Sequence, residues 1–263
     1  MNTLLALAVA TARETGRMLI DKRPAGGPDV VQTKSSATDI VTQMDQAAER
    51  LIRERIGAAR PDDAFLGEEE GSSAGTTAIR WVIDPIDGTV NYLYDLPDWA
   101  VSIAAELNGE TVVGVVEIPS RGETYTAVRG GGAFLNGEPL HCSQETALPS
   151  ALIATGFGYS AERRAHQAQV LTGVLPNVRD IRRGGACSID LCAVASGRVD
   201  GYYERGVQAW DIAAGKLLVT EAGGRIEGLA GAAPGPEFTI AAGADLFGPL
   251  HGLLAGLNPA QDG

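Results

Sequence analysis

Residues 81–94 read WVIDPIDGTVNYLY and carry two carboxylates, Asp84 and Asp87, with Gly88 and Thr89 directly behind them. Two chemistries place aspartates just ahead of Gly-Thr. With a single residue between the acids, the first attacks phosphorus and the second moves protons. With wider spacing, both acids can hold metal. Here two residues intervene, and position 86, where the proton-moving aspartate would stand, is isoleucine. Pro85 fixes its own φ and keeps Asp84 extended, so the chain leaves a strand sharply and the carboxylates are free to converge. Converging carboxylates repel unless a cation lies between them. Acidic oxygens with a few waters are what Mg²⁺ takes. The metal reading prevails.

Other candidate acids are weaker alone. Glu68, Glu69 and Glu70 follow Leu66–Gly67 and read singly as solvated loop charges. Asp211 stands where a helical pattern begins and reads as an N-cap; Asp45 reads as a surface helix charge. Two apparent phosphate loops fail on context. Cys192 to Arg198, CAVASGR, has the Cys-x5-Arg spacing of thiolate phosphatases. Leu191 precedes it, however, and the run is an apolar, alanine-rich helix with Gly197 at its C-cap. The three glycines of RGGGAFLNG have no helix pattern after them, so a hairpin is expected.

The surrounding composition constrains the function. The chain has 263 residues, 44% hydrophobic and 21% charged, the balance of a globular protein with one large or two smaller cores. A net charge of −12 argues against a broad nucleic-acid surface. It also means that a phosphate substrate needs positive charge from arginine clusters or bound cations. Cys142, Cys187 and Cys192 are too few for a disulfide framework, and His141, His166 and His251 have no zinc spacing. The N-terminal MNTLLALAVATARETGRMLI lacks a basic start and is interrupted by Arg13, Glu14 and Arg17, so an amphipathic helix is expected rather than an export signal. No apolar run suffices for a membrane span. A cytoplasmic protein is the expectation.

The elements that must position these acids follow from periodicity. Residues 4–22 and 38–59 read as helices, the second with a stripe of Ile40, Met44, Ala48, Leu51 and Ile56. RWVID, WAVSIAAEL, TVVGVVEIP and ETYTAVRG read as successive strands of an antiparallel sheet, and Asn136–Gly137 as a hairpin turn. Beyond a soft boundary at 147–152 the pattern changes. ALIATGF and GRVDGYYE read as strands alternating with helices at 161–174, 187–196 and 211–222, and EFTIAAG precedes a last helix. We therefore expect an α+β domain over 1–149, carrying most of the candidate ligands, and an α/β domain over 150–263, supplying Asp211.

Five ordered segments together resemble the inositol monophosphatase family. These are TDIVTQMD (38–45), GEE (67–69), WVIDPIDGTVN (81–91), DGYYERGVQAWD (200–211) and WDIAAGKLLVTEAGG (210–224). The resemblance covers nearly the whole chain. It implies a layered αβαβα sandwich of the inositol monophosphatase / fructose-1,6-bisphosphatase type, a homodimer, and a lithium-sensitive Mg²⁺-dependent phosphomonoesterase with two to three ions per subunit. It assigns Glu68, Asp84 and the Ile86 carbonyl to a first metal, and Asp84, Asp87 and Asp211 to a second. Glu68 would also help a third. Asp45 and Thr89 would orient the attacking water, and Gly88 and Thr89 would present N–H groups to the phosphate. Asp87, Glu204, Asp211 and Cys187 would line the substrate site. Cysteine departs from the alanine that many relatives carry there. Lys34 would lie on a mobile loop.

On this resemblance the expected substrate is inositol 1-phosphate, a small phosphate monoester. Histidinol phosphate, fructose 1,6-bisphosphate and 3′-phosphoadenosine 5′-phosphate are the alternatives. A reader of a second phosphate would use extra basic groups, for which Arg163–Arg164 and Arg182–Arg183 are the candidates. A non-catalytic binding protein on the same scaffold would have lost a ligand or the Asp45–Thr89 pair, and all are present. The Asp-x-Asp arrangement of haloacid-dehalogenase-type phosphatases fails at Ile86.

Overall fold

The structure is a computed structural model that describes residues 1–24, 29–33 and 40–260. Lys34 lies outside them. The chain begins with α1 (Asn2–Asp21), the short strands β1 (Val30–Thr33) and β2 (Ile40–Thr42), and α2 (Gln43–Ala59). Then come β3 (Ala64–Gly67), β4 (Gly71–Ser73), β5 (Ile79–Asp87) and the single-turn helix α3 (Thr89–Leu93). A meander follows: β6 (Ala100–Leu107), β7 (Glu110–Ile118), β8 (Glu123–Val128), β9 (Gly132–Leu135) and β10 (Glu138–Pro139). The remainder runs β11 (Leu152–Thr155), α4 (Ala161–Val174), β12 (Asp180–Arg182), α5 (Cys187–Ala195), β13 (Gly201–Glu204), α6 (Ala209–Glu221), β14 (Gly224–Glu227), β15 (Thr239–Gly243) and α7 (Ala244–Ala255).

Two large sheets result. The first has the order β10-β9-β8-β7-β6-β5-β3-β4 and is antiparallel except where β3 runs parallel to β5. The second has the order β12-β11-β13-β15-β14, parallel on one side and antiparallel on the other. Successive side chains point to opposite faces, and the continuous burial along β6 and β7 shows that both faces of the first sheet are covered. Trp81, Ile83, Ile103 and Val115 pack against Ala8, Ala12 and Leu19 of α1 and Ile52 and Ile56 of α2. Their strand neighbours Val82, Ala104 and Val116 face the opposite way, onto Leu191 of α5 and Ala214 and Leu218 of α6. The same two helices cover Ala154, Tyr202 and Ala241 of the second sheet. Ile153, Tyr203 and Ile240 turn outward onto Val170 of α4 and Leu250 of α7. The order is helix pair, sheet, helix pair, sheet, helix pair, the expected αβαβα sandwich.

Close approach of these layers depends on small residues. A side chain on Gly114 of β7 would place its Cβ 2.9 Å from the Ala214 carbonyl oxygen of α6. That contact seats α6 against the sheet, and α6 carries Asp211.

α2 begins later than its apolar stripe suggests. Thr42 caps it, with the hydroxyl accepting from the Met44 and Asp45 amides while Asp45 accepts from the Thr42 amide. This reciprocal cap outweighs continued helical periodicity, so Ile40–Thr42 pair with β1 as a strand. Both false phosphate loops resolve as the sequence suggests. Cys192 lies buried in α5 while Arg198 is bidentate to Glu123. The three glycines turn the β8–β9 hairpin, and the Gly130 and Gly132 amides bind the Glu221 carboxylate instead of a phosphate. No helix among the described residues is long and apolar enough to cross a membrane.

Candidate active site

In a regular strand, residues three apart point to opposite faces. Asp84 and Asp87 escape this rule because β5 carries a bulge between them. Asp84 pairs with Ser102 but Asp87 with Ala100, so β5 spends one more residue than β6. Pro85 sits in the bulge, where its missing N–H costs no ladder bond. Both carboxylates thereby reach one cavity of about 580 Å³, on the side facing α5 and α6. Gly88 then turns the chain at φ 91°, and a Cβ there would meet the Asp98 carbonyl oxygen at 2.8 Å. Thr89 follows as the first residue of α3.

Three of the acids accept a backbone amide. Asp84 Oδ1 accepts from the Ile86 amide at 3.1 Å. Asp87 Oδ2 takes the Ser188 amide at 2.6 Å and its hydroxyl at 2.5 Å. Asp211 is not the N-cap itself but the third residue of α6. Its Oδ2 accepts from the amide of the capping Gln208 at 2.6 Å. Glu68 continues from β3, its amide bonded to the Ile83 carbonyl at 3.2 Å. Its turn is gripped from behind by the buried Glu49 of α2, which accepts the Glu69 and Glu70 amides at 2.7 and 3.2 Å and pairs with Arg53 at 2.8 Å.

Thr89 Oγ1 lies 3.0 Å from Asp45 Oδ1 and 3.0 Å from the Ile86 carbonyl. The expected hydroxyl–carboxylate pair is therefore formed. Thr89 lines the cavity, and the fully buried Asp45 backs it from α2. Glu204 closes the far wall from the end of β13. The Tyr202 hydroxyl bonds its Oε2 at 2.8 Å and lies 3.1 Å from Cys187 Sγ. Gly156 leaves room for this carboxylate, since a Cβ there would fall 2.0 Å from it.

The electrostatics follow from crowding. Burial, then the charges of Glu68, Asp87 and Asp211, push Asp84 well above the usual carboxylate range. Burial, then Asp87 and Glu68, does the same to Asp211. Asp87 is raised to about 6, chiefly by burial and against the Ser188 hydrogen bonds. Asp45 is also raised to about 6 by burial, with the Thr42 hydrogen bonds opposing. Glu204 rises to about 7, again through burial, while Tyr202 pulls it down.

Among the described residues no three acids already close around one point as a finished ligand cage. They share a cavity wall, Asp84, Asp87 and Asp211 each accepting a backbone amide, and the Ile86 carbonyl has a second lone pair beyond Thr89. Hard oxygen donors that raise one another's pKa suit hard cations such as Mg²⁺.

The structure thus brings Glu68, Asp84, Ile86, Asp87, Gly88, Thr89, Cys187, Glu204 and Asp211 to one cavity, with Asp45 directly behind. Sequence reading missed Ser188, Glu49 and Tyr202. Glu49 lies one helical turn beyond Asp45, the only signal that it shares the same face. Of the two arginine pairs, Arg163 and Arg183 line the cavity, whereas Arg164 bonds the Tyr159 carbonyl and Arg182 pairs with Asp180.

A five-layer sandwich with bulge-presented acids at its centre defines a fold class that comparison makes specific. The sequence profile of the inositol monophosphatase family matches residues 1–260, and the chain belongs to that family. It is 48% identical over 213 residues to the inositol-1-monophosphatase SuhB of Mycobacterium tuberculosis, spanning 78% of this chain and 73% of that one. It is 42% identical over 234 residues to the Nus factor SuhB of Escherichia coli, spanning 88% and 87%. The crystal structure of the extragenic suppressor protein suhB from Bartonella henselae superposes with a TM-score of 0.90 at 36% identity, covering 96% of this chain and 98% of that one.

Proposed function

We propose that the protein is a Mg²⁺-dependent phosphomonoesterase that hydrolyses inositol 1-phosphate to inositol and phosphate. One observation carries this reading: Glu68, Asp84, Asp87, Asp211 and Ile86 line one cavity together with Thr89, whose hydroxyl bonds Asp45. Glu68, Asp84 and the Ile86 carbonyl would hold one ion, Asp84, Asp87 and Asp211 a second, and Glu68 would help a third. Bound there, the ions lower the pKa of water and offset the charge of the phosphate.

The rest falls to the chain's own side chains. Thr89 Oγ1, held by Asp45, orients the attacking water and passes its proton toward Asp45 Oδ1. The Gly88 and Thr89 amides meet the phosphate, and Glu204, fixed by Tyr202, accepts a hydroxyl of the polyol. Phosphoryl transfer needs positioning and charge neutralisation more than a protein nucleophile, so no phosphoenzyme forms. The same reading carries a lithium-sensitive, cytoplasmic homodimer with domains over 1–149 and 150–263.

The decisive measurement is Mg²⁺-dependent phosphate release from inositol 1-phosphate, histidinol phosphate, fructose 1,6-bisphosphate and 3′-phosphoadenosine 5′-phosphate. Inositol 1-phosphate is expected to give the highest kcat/KM. Equal rates on all four would remove the substrate assignment, and labelled phosphate trapped on Asp84 or Asp87 after acid quench would refute direct hydrolysis.

The name Nus factor carried by a relative 42% identical favours a second reading, in which the protein acts by binding a partner. No phosphate release from any ester at saturating Mg²⁺ would select it.

A further inference from the structure

Asp87 differs from the other aspartates of the cavity in how it is bonded. Asp84 Oδ1 and Asp211 Oδ2 each accept one backbone amide, from Ile86 and Gln208. Asp87 Oδ2 accepts two donors from a single residue, the Ser188 amide at 2.6 Å and its hydroxyl at 2.5 Å. An ionised carboxylate offers about four lone-pair positions, divided evenly between its oxygens. Both positions on Oδ2 are therefore taken, and a cation meeting Asp87 is confined to Oδ1.

Ser188 is the second residue of α5 and is fully buried, and it does not line the cavity. It therefore reaches an ion only through Asp87. The N-cap of α5, Ala186, has no side chain to accept an orphan amide, and Asp87 does so from 101 residues away. The amide bond alone would serve the helix. The hydroxyl adds a second donor to the same oxygen, which capping does not require.

Cations differ in their use for that oxygen. Mg²⁺ demands near-octahedral geometry at about 2.0–2.1 Å, which the narrow bite of both oxygens of one carboxylate does not fit. Ca²⁺ takes about six to eight oxygens at about 2.3–2.6 Å and readily binds a carboxylate through both. Filling Oδ2 withholds a ligand that only the larger ion can use. We propose that Ser188 is a positioning residue that holds Asp87 to one-oxygen coordination and so sets the preference of the site for Mg²⁺ over Ca²⁺. This rests on the metal-holding part of the phosphatase reading and adds how the site selects its ion.

The test is calorimetric titration of Mg²⁺ and Ca²⁺ into wild type, Ser188→Ala and Asp211→Asn, with no ester present. Asp211→Asn marks the ion that Asp87 helps to hold, as the class of site it weakens. In Ser188→Ala the amide still bonds Oδ2, but one lone pair there is released. Mg²⁺ affinity at that class should fall about tenfold, the lower end of what a lost outer contact to a metal ligand costs. Ca²⁺ affinity should hold or rise, so the ratio of its Kd to that of Mg²⁺ drops at least about tenfold. A clasp that merely fastens α5 to β5 would weaken both ions alike, and an unchanged ratio would overturn the proposal. A wild type that binds neither ion would overturn it together with the metal-holding reading. A changed ratio without phosphate release from any ester would fail the phosphatase reading alone and leave the role of Ser188 standing.

Discussion

The hydroxyl of Thr89 has one proton and two acceptors at 3.0 Å, Asp45 Oδ1 and the Ile86 carbonyl. An ionised Asp45 competes better for that proton, because charge-assisted hydrogen bonds are the stronger kind. The hydroxyl oxygen is then free to accept from a water in the cavity. Asp45 cannot drift, since its other oxygen takes the Thr42 amide at 2.8 Å and hydroxyl at 2.5 Å. Replacing Thr89 by Ala or Asp45 by Asn should lower kcat by about 10²–10⁴-fold, the usual contribution of positioned proton transfer. KM should move far less, and steady-state kinetics on inositol 1-phosphate separates the two. A loss confined to KM would place the pair in ground-state binding instead. At the opposite wall, Glu204 is raised from 4.5 to about 7 by burial. A carboxyl whose folded pKa exceeds its unfolded one stabilises the fold below the unfolded value and loses that contribution as pH rises through the folded value. Between about pH 4.5 and 7, Glu204 therefore costs the wild type stability that Glu204→Gln does not lose. The shift corresponds to about 3 kcal/mol. Thermal melts of both proteins from pH 5 to 8 should diverge, with the variant relatively more stable at the alkaline end. Parallel curves would mean that Glu204 is not protonated in the fold near neutrality.

At the scale of elements, much of the architecture is legible because it repeats a period. Strands β6, β7 and β8 and helices α4, α5 and α6 stand within a residue or two of where alternation and helical spacing place them. The acidic turn was legible for a different reason, its proline and glycine. Three features were not. β12 and β14 are three- and four-residue edge strands, Asp180–Arg182 and Gly224–Glu227, too short and too charged to show a period. The start of α2 is set by the Thr42 cap against its own stripe. Glu49 and Ser188 hold the site by contacts across 20 and 101 residues of chain, and single-sequence periodicity carries no such information. Gly114 belongs with them, since its reason is the helix behind it. Gly114→Ala would drive a methyl into the α6 backbone at 2.9 Å and push α6 from the sheet. Overpacking of this kind costs about 1–3 kcal/mol. Because α6 presents Asp211, the variant should also bind Mg²⁺ more weakly. Chemical denaturation together with a Mg²⁺ titration checks both, and a stability loss with unchanged Mg²⁺ affinity would uncouple the helix from the site.

The whole molecule gathers its acids from separate layers. Asp84 and Asp87 come from the first sheet, Asp211 from the central helix pair and Glu204 from the second sheet. Folding therefore forces these charges together, in a protein already at −12. Two like charges 4 Å apart repel by about 4 kcal/mol at an effective dielectric constant of 20, so the layers are held closed against their own centre. Asp45 and Asp87 at about 6 and Glu204 at about 7 owe their shifts first to burial, and neighbouring carboxylate charges add to it. All three are raised, so their contribution to stability is complete below about pH 4 and falls as pH climbs through 6 and 7. A cation that binds only the folded form reverses the loss by mass action, about 2.7 kcal/mol at a hundredfold excess over its Kd. In a chain of this size that is roughly 5–10 °C in Tm. In EDTA at pH 8 the protein should melt lower than at pH 5, and Mg²⁺ should recover most of the difference. Asp211→Asn separates repulsion from any general salt effect. Removing one charge should raise the Tm in EDTA while shrinking the gain from Mg²⁺, because the same carboxylate supplies both the strain and the ligand. A Mg²⁺ response of equal size in Asp211→Asn would show that the ion stabilises the protein from some other place.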